Sequence, residues 1–193
     1  EQLARTCDFL LDNIGNIVSL RSITAGLCAA GLKMSEKTLA NYVEYLCSAF
    51  LLYRVRRFDI AGKKYLSSGD KYYLVDHSFR YAKLGTKKLD FGHVYENMVA
   101  IELIRRGFEI YVGALYKKEI DFVAVRRAEK VYIQVSDDIS SETTFEREIS
   151  PLLKIRDAYP KIIIARTRHE TTDWEGVKVI DIARWLMGLE DWF

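Results

Sequence analysis

Proline is nearly missing from this chain: Pro151 and Pro160 are the only two, and none precedes them. No internal repeat and no low-complexity tract breaks the 193 residues, which argues against a repeat or fibrous architecture. Cysteine is scarce as well. Cys7, Cys28 and Cys47 fall in the first 50 residues, are odd in number and form no C-x-x-C pair. That argues against a disulfide framework or a zinc site and for buried thiols in a reducing cytoplasm. No window approaches the ~18 apolar residues that a membrane span needs. No basic segment followed by an apolar stretch opens the chain as a secretion signal would. A cytoplasmic location with no membrane partner is therefore expected. Neither sign of charge prevails, since the net charge is +2, too little to name a partner. The chain also lacks an initiating Met and opens within a helical pattern, so we expect a piece of something longer.

What remains is an ordinary globular composition, 49% hydrophobic and 29% charged. Leu3, Phe9, Leu10, Leu11 and Ile14 predict a first helix. A short second helix is expected from Ile23 to Ala30, ended by Gly31. Ser35 has the character of an N-cap for a third, with Leu39, Tyr42, Val43, Leu46 and Phe50 at helical spacing. "LLYRVRRFDI" reads as a strand, "AGKKYLSSGD" as a loop and "KYYLVD" as a returning strand. This is the order of a winged helix-turn-helix, expected over residues 1–84.

A second unit is expected over residues 85–193. "DFGHVYENMVAIELIRRG" reads as a helix with Val94, Met98, Ile101 and Leu103 near one face. Three strands follow in "FEIYVG", "KEIDFVAVR" and "KVYIQVS". Next comes a helix interrupted or kinked at Pro151, the strands "KIIIAR" and "VKVID", and a closing helix "IARWLMGL". The expected fold class is α/β in the α+β sense: a winged helix packed on a restriction-endonuclease-like mixed sheet flanked by helices. The boundary near residues 82–90 is short and polar, so the two units are expected to pack together.

The stretch "EIDFVAVRRAEKVYIQVSDD" carries the strongest chemical signal. Metal-dependent phosphodiester hydrolysis needs hard oxygen ligands on rigid elements and a lysine near the attacking water. In PD-(D/E)XK nucleases an acid on a helix precedes an Asp on one strand and Glu-x-Lys on the next. Here Glu96 takes the helix position, Asp121 the strand position and Gln134 the third, while Ser136 stands where the lysine would be. Residues 134 and 136 share one side of a strand, so the geometry is kept and the charge is lost. Losing one preorganised electrostatic group costs about 10²–10³ in rate. Arg147, Lys154, Asp137, Asp138, Lys118 and Glu119 are candidates to compensate. His93 shares a helix face with Glu96 and is a further candidate base or ligand. The plainer reading leaves Glu96 and Asp121 as hydrogen-bonded polar groups in a scaffold. Mg²⁺ or Mn²⁺ on Glu96 and Asp121 is expected only if the site is active.

The first unit offers a mixed recognition surface in Lys33, Glu36, Lys37, Asn41 and Glu44. Between Leu51 and Tyr73, six cations (Arg54, Arg56, Arg57, Lys63, Lys64, Lys71) stand against two anions (Asp59, Asp70). Tyr53, Tyr65 and Tyr72 interleave with them. Arg54, Arg56, Arg57, Lys63 and Lys64 are the candidate phosphate contacts, with DNA as the partner. Winged helices also dock proteins, so an assembly or regulatory role stays open, as does a homo-oligomer.

"GHVYENMVAIELIRRGFEIYVG", "KEIDFVAV", "VYIQVS", "FEREISPLLKIRDAYPKIIIA" and "GVKVIDIARWL" together resemble the uncharacterised C-terminal region of bacterial and archaeal AAA+ ATP-binding proteins. The resemblance covers nearly the whole chain. It implies a P-loop ATPase module upstream, then a winged helix, then a PD-(D/E)XK-like domain, and in that family the third strand often takes this Gln-Val form. This chain has no G-x-x-x-x-G-K-[ST], and "AGKKY" lacks the upstream Gly and the Ser/Thr. ATP is therefore expected only on a module outside this chain. No cofactor is expected within it, and its own ATPase module is an expected partner. The leading expectation is a nucleic-acid- or partner-binding module with an inactive nuclease site.

Overall fold

The structure is a computed structural model that describes residues 1–67, 69–85, 90–190 and 192. Three helices open it: α1 (Gln2–Asp12), α2 (Leu20–Ala29) and α3 (Glu36–Ser48). Helix α2 starts earlier than its apolar pattern suggests because Ser19 and Ser22 form a reciprocal capping box. Ser35 caps α3 as expected, accepting from the Thr38 amide. Strands β1 (Leu52–Val55) and β4 (Lys71–Leu74) pair antiparallel as a separate two-stranded sheet. Between them, β2 (Arg57–Asp59) and β3 (Lys64–Tyr65) form a hairpin that leaves this pair. A short helix α4 (Ser78–Leu84) follows. The expected boundary falls partly on residues 86–89, which lie outside the described residues.

The remaining elements are α5 (Phe91–Arg105), β5 (Glu109–Leu115), β6 (Lys118–Arg126), β7 (Glu129–Ser136), α6 (Glu142–Leu153), β8 (Lys161–Ala165), β9 (Thr172–Trp174), β10 (Val177–Asp181) and α7 (Ile182–Leu186). Their strands build an eight-stranded sheet in the order β3-β2-β5-β6-β7-β8-β10-β9. It is mixed: β2–β5, β7–β8 and β8–β10 are parallel and the other pairs antiparallel. The protein is thus mixed α/β, with helices flanking a multi-stranded mixed sheet, as the sequence pattern predicts at that level. The β2–β3 hairpin belongs to this sheet through β5 although it precedes residue 85.

Alternation along the strands divides the core between the two faces. Ile162 and Ile164 of β8 pack with Val99, Ala100 and Leu103 of α5, and this core continues into Leu10, Leu39, Val55 and Tyr73. Ile163 and Ala165 pack on the other face with Ile149 and Leu152 of α6. The buried apolar residues of α5 are Val94, Val99, Ala100 and Leu103, so Val94 and Leu103 lie inside as expected. Met98, expected there, is exposed and Ile101 half-buried. Helix α6 runs through Pro151 and ends at Leu153, so the proline falls in its last turn.

Candidate functional site

Asp121 sits at an irregularity of the sheet. Tyr111 pairs with Val123 but Gly113 with Ile120, so β6 carries one residue more than β5 across this interval. Such a bulge interrupts the ladder and re-aims a side chain. On the other side of β6, where regular pairing with β7 stops at Phe122 and Ile133, side chains bond the facing strand. The Asp121 amide donates to Gln134 Oε1 at 3.2 Å, and the Val135 amide donates to Asp121 Oδ2 at 2.8 Å. Gln134 Nε2 donates in turn to Glu148 Oε2 at 3.0 Å. Arg147 Nη2 holds the other oxygen of Glu148 at 2.7 Å.

Glu96 arrives from the first half of α5, which Asp90 caps through the His93 amide. It is buried and meets two groups from β4. Lys71 Nζ donates to Glu96 Oε1 at 2.7 Å, and the Tyr73 hydroxyl donates to the same oxygen at 2.6 Å. Residues two apart on a strand share a side, which brings Lys71 and Tyr73 to one carboxylate. Lys71 Nζ also lies 2.5 Å from Glu119 Oε1 and 3.9 Å from Asp121 Oδ1. Gly15 leaves room for this arrangement. At φ +77, a Cβ there would lie 2.5 Å from the His93 ring and 3.3 Å from Glu96 Oε2.

The charges explain one another. Burial works against the Lys71 ammonium, but Glu96, Asp121 and Glu119 outweigh it and hold its pKa above the ordinary range. Burial, then the nearby Glu96, push the Asp121 carboxyl well above its usual value against the pull of Lys71. Burial and Glu96 also raise the Tyr73 phenol, which keeps its proton and donates it.

A cleft of about 440 Å³ opens over these groups, lined by Glu96, Glu119, Asp121, Gln134, Arg147 and Glu148, with His93 at its wall. The three nuclease-position residues Glu96, Asp121 and Gln134 therefore come together. Ser136 is buried beside them and lines the adjoining cleft of about 680 Å³. His93 pairs with Asp90 (Nδ1–Oδ2 2.8 Å). Of the compensating candidates, Glu119 and Arg147 join the cluster, as above, and Lys118 stands exposed on the rim. Asp137 faces Arg166 at 3.1 Å, Asp138 accepts from the Ser140 amide, and Lys154 lies in a different cavity. Among the described residues, no three of His, Cys, Asp or Glu are grouped to hold a metal ion. The residues that pattern reading missed are Lys71, Tyr73 and Glu148. The two-residue spacing of Lys71 and Tyr73 in an otherwise apolar strand was the available signal.

The basic segment is divided by the fold. Lys71 is buried in the cluster rather than on the surface. Arg54 on β1 is tied to Asp70 (Nε–Oδ2 2.6 Å). Arg57 is half-buried, with its Nε enclosed and unbonded. Arg56 is exposed between the two sheets, and Lys63 and Lys64 are exposed on the β2–β3 hairpin. On α3 and just before it, Lys33, Glu36, Lys37, Asn41 and Glu44 are all exposed. Among the described residues no helix is long and apolar enough to cross a membrane.

Residues 1–90 match the model of a family described as a domain of unknown function (DUF8612). The chain is 38% identical over 179 residues to an uncharacterised protein of Haemophilus influenzae, a match that covers 93% of this chain and 44% of that protein. It is 31% identical over 146 residues to uncharacterised protein MJ1544 of Methanocaldococcus jannaschii, covering 74% of this chain and 32% of that protein. The chain thus spans less than half the length of these relatives.

Proposed function

We propose that this chain is a non-catalytic nuclease-like module of a longer protein. In this reading a winged-helix-like unit and a PD-(D/E)XK-like sheet engage nucleic acid on behalf of an ATPase module outside the chain. The observation that carries it is the position of the Lys71 ammonium. It occupies the space between Glu96 and Glu119, with Asp121 at 3.9 Å, and supplies there the positive charge that a bound cation would supply. Asp121 and Gln134 are further committed to joining β6 and β7, each bonded to a backbone amide of the other's strand. The residues present therefore do not fit a resident Mg²⁺. A divalent ion would have to displace an ammonium that three acids hold, and Gln134 would offer it a neutral oxygen. The length of the relatives leaves room in them for the P-loop module that the sequence resemblance implies.

A second reading has one observation in its favour. Lys71 brings to Glu96 and Asp121 the lysine charge that Ser136 lacks, so a nuclease with a relocated lysine has its parts in one cleft. One assay separates the two. Plasmid and single-stranded DNA are incubated with the chain in Mg²⁺ and in Mn²⁺, beside Asp121→Ala. Equal background cleavage by both proteins is expected. Cleavage by the wild type that Asp121→Ala abolishes would overturn the non-catalytic reading.

A further inference from the structure

A separate cavity, of about 470 Å³, shares no lining residue with the cleft over Asp121. Its walls are Phe58 and Lys63 from the β2–β3 hairpin, Tyr116 from the β5–β6 turn, Lys130 from β7, and the segment Lys154–Tyr159 after α6. Helix α6 covers the middle of this sheet face, as its contacts with β6, β7, β8 and β10 show. The β3-β2-β5 end carries aromatic rings instead. Tyr65 and Tyr111 lie 5.2 Å apart, centroid to centroid, and Phe58 touches both. Lys130 continues the row, with its Nζ 5.6 Å from the Phe58 ring, 4.8 Å from Tyr132 and 4.9 Å from Tyr159. Tyr116 is 84% exposed and Tyr65 63%.

Cations outnumber acids on the cavity wall, while in the adjoining row Glu109 accepts from the Tyr111 hydroxyl at 2.9 Å. Lys63, Lys154 and Arg156 are exposed, and among the described residues none of them forms an ion pair. The lone acid of the cavity, Asp157, is already engaged. It accepts from the Tyr132 hydroxyl at 2.6 Å and the Tyr159 amide at 3.2 Å, and lies 3.7 Å from Lys161 Nζ. Burial lowers the Lys130 pKa; Asp157 opposes that shift and Lys63 adds to it. Lys63 and Tyr116 also hold left-handed backbone (φ 50 and 53) at its rim.

We propose that this cavity and the adjoining aromatic row bind single-stranded nucleic acid, with bases stacked on Tyr116, Tyr159 and Tyr65 and phosphates held by Lys63, Lys64, Lys154 and Arg156. Rings alternating with unpaired cations along a sheet face suit a flexible strand, whose bases are free to stack. A duplex hides its base faces and would use the cations alone. The row extends well beyond a single cavity, which favours a strand over a free mononucleotide. The proposal rests on the nucleic-acid half of the function proposed above and names the strand type and the surface.

The test is fluorescence anisotropy with labelled oligothymidylate, the matching duplex and labelled polyglutamate, over a range of salt. The chain is expected to bind oligothymidylate more tightly than duplex or polyglutamate. Tyr116→Ala and Tyr159→Ala, both at exposed positions, are each expected to weaken that binding about tenfold. Lys154→Ala and Arg156→Ala are expected to flatten the dependence of log K on log salt by roughly 0.7 each. Wild-type affinity in both tyrosine variants would overturn the proposed surface while leaving a nucleic-acid module intact. So would binding confined to duplex. Equal retention of polyglutamate would overturn it by showing that charge alone holds the ligand. No binding to either nucleic acid would overturn the broader reading as well.

Discussion

Lys71 donates to Glu96 and Glu119 from an almost fully enclosed side chain. Such a set is costly to break, because removing Lys71 leaves the buried Glu96 without its counter-charge. Lys71→Met should therefore destabilise the fold by about 3–5 kcal/mol. Adding Glu96→Gln should recover part of that loss, since Gln keeps an acceptor for Tyr73 and removes an orphaned charge. Urea unfolding of the two single variants and the double variant measures the coupling. Strictly additive effects would show that the pair does not act as a unit. The same cluster shows how far the chain could be read in advance. Glu96, Asp121 and Gln134 were legible because helix and strand periods fix which positions share a side. Lys71 was not, because charge read along the sequence groups it with Arg54, Arg56 and Lys64. The strand pairing of β4 with β1 instead turns Lys71 inward, toward α5.

Elements held by their own pattern were legible, and elements held by a partner were not. The capped helices and the long apolar strands announce themselves locally. The seven-residue α4, the two-residue β3 and the three-residue β9 are too short to repeat a pattern several times. The bulge at Asp121 is hidden for a related reason, since it appears only when two strands are counted against each other. The junction of β10 and α7 shows how one side chain can set an element. Asp181 is buried and accepts from the Ala183 and Arg184 amides through Oδ1, and from the Thr167 and Arg168 amides through Oδ2. Burial opposes its charge, but these four donors prevail and hold its carboxyl below the ordinary 3.8. Because the folded value is depressed, its contribution is complete above about pH 4. It fades as the pH falls through the folded value. Asp181→Ala, which strands several amides and uncaps α7, should cost about 2–4 kcal/mol near neutrality. Urea titrations at pH 7 and pH 3 should show the gap from wild type narrowing in acid. A gap of constant size would mean that the ionised carboxylate is not what matters.

At the scale of the molecule, the division into residues 1–84 and 85–193 follows the sequence order of helices and strands, but contacts run across it. The β2–β3 hairpin extends the large sheet at β5. Lys71 and Tyr73 anchor Glu96, and Leu10, Leu39 and Tyr73 share a core with Val99, Leu103 and Phe122. Asn97 of α5 adds a further tie, exchanging hydrogen bonds with the backbone of Leu74 at 2.7 and 2.9 Å. A chain knit in this way should lose both halves together. The sequence supplies separate reporters for the test. All three tryptophans, Trp174, Trp185 and Trp192, lie in the second half, and all three cysteines lie in the first. Cys7 and Cys47 are half-buried, and burial, aided by Asp8 and Glu44 respectively, raises both thiols. They should react slowly with a thiol reagent until the first half opens, whereas the exposed Cys28 reacts at once and serves as the internal control. Tryptophan fluorescence and thiol reactivity, followed through one urea titration, are expected to change at the same midpoint. Two separated midpoints would show that the halves fold independently, and the ties through Lys71, Asn97 and β2 would then contribute little to holding them together.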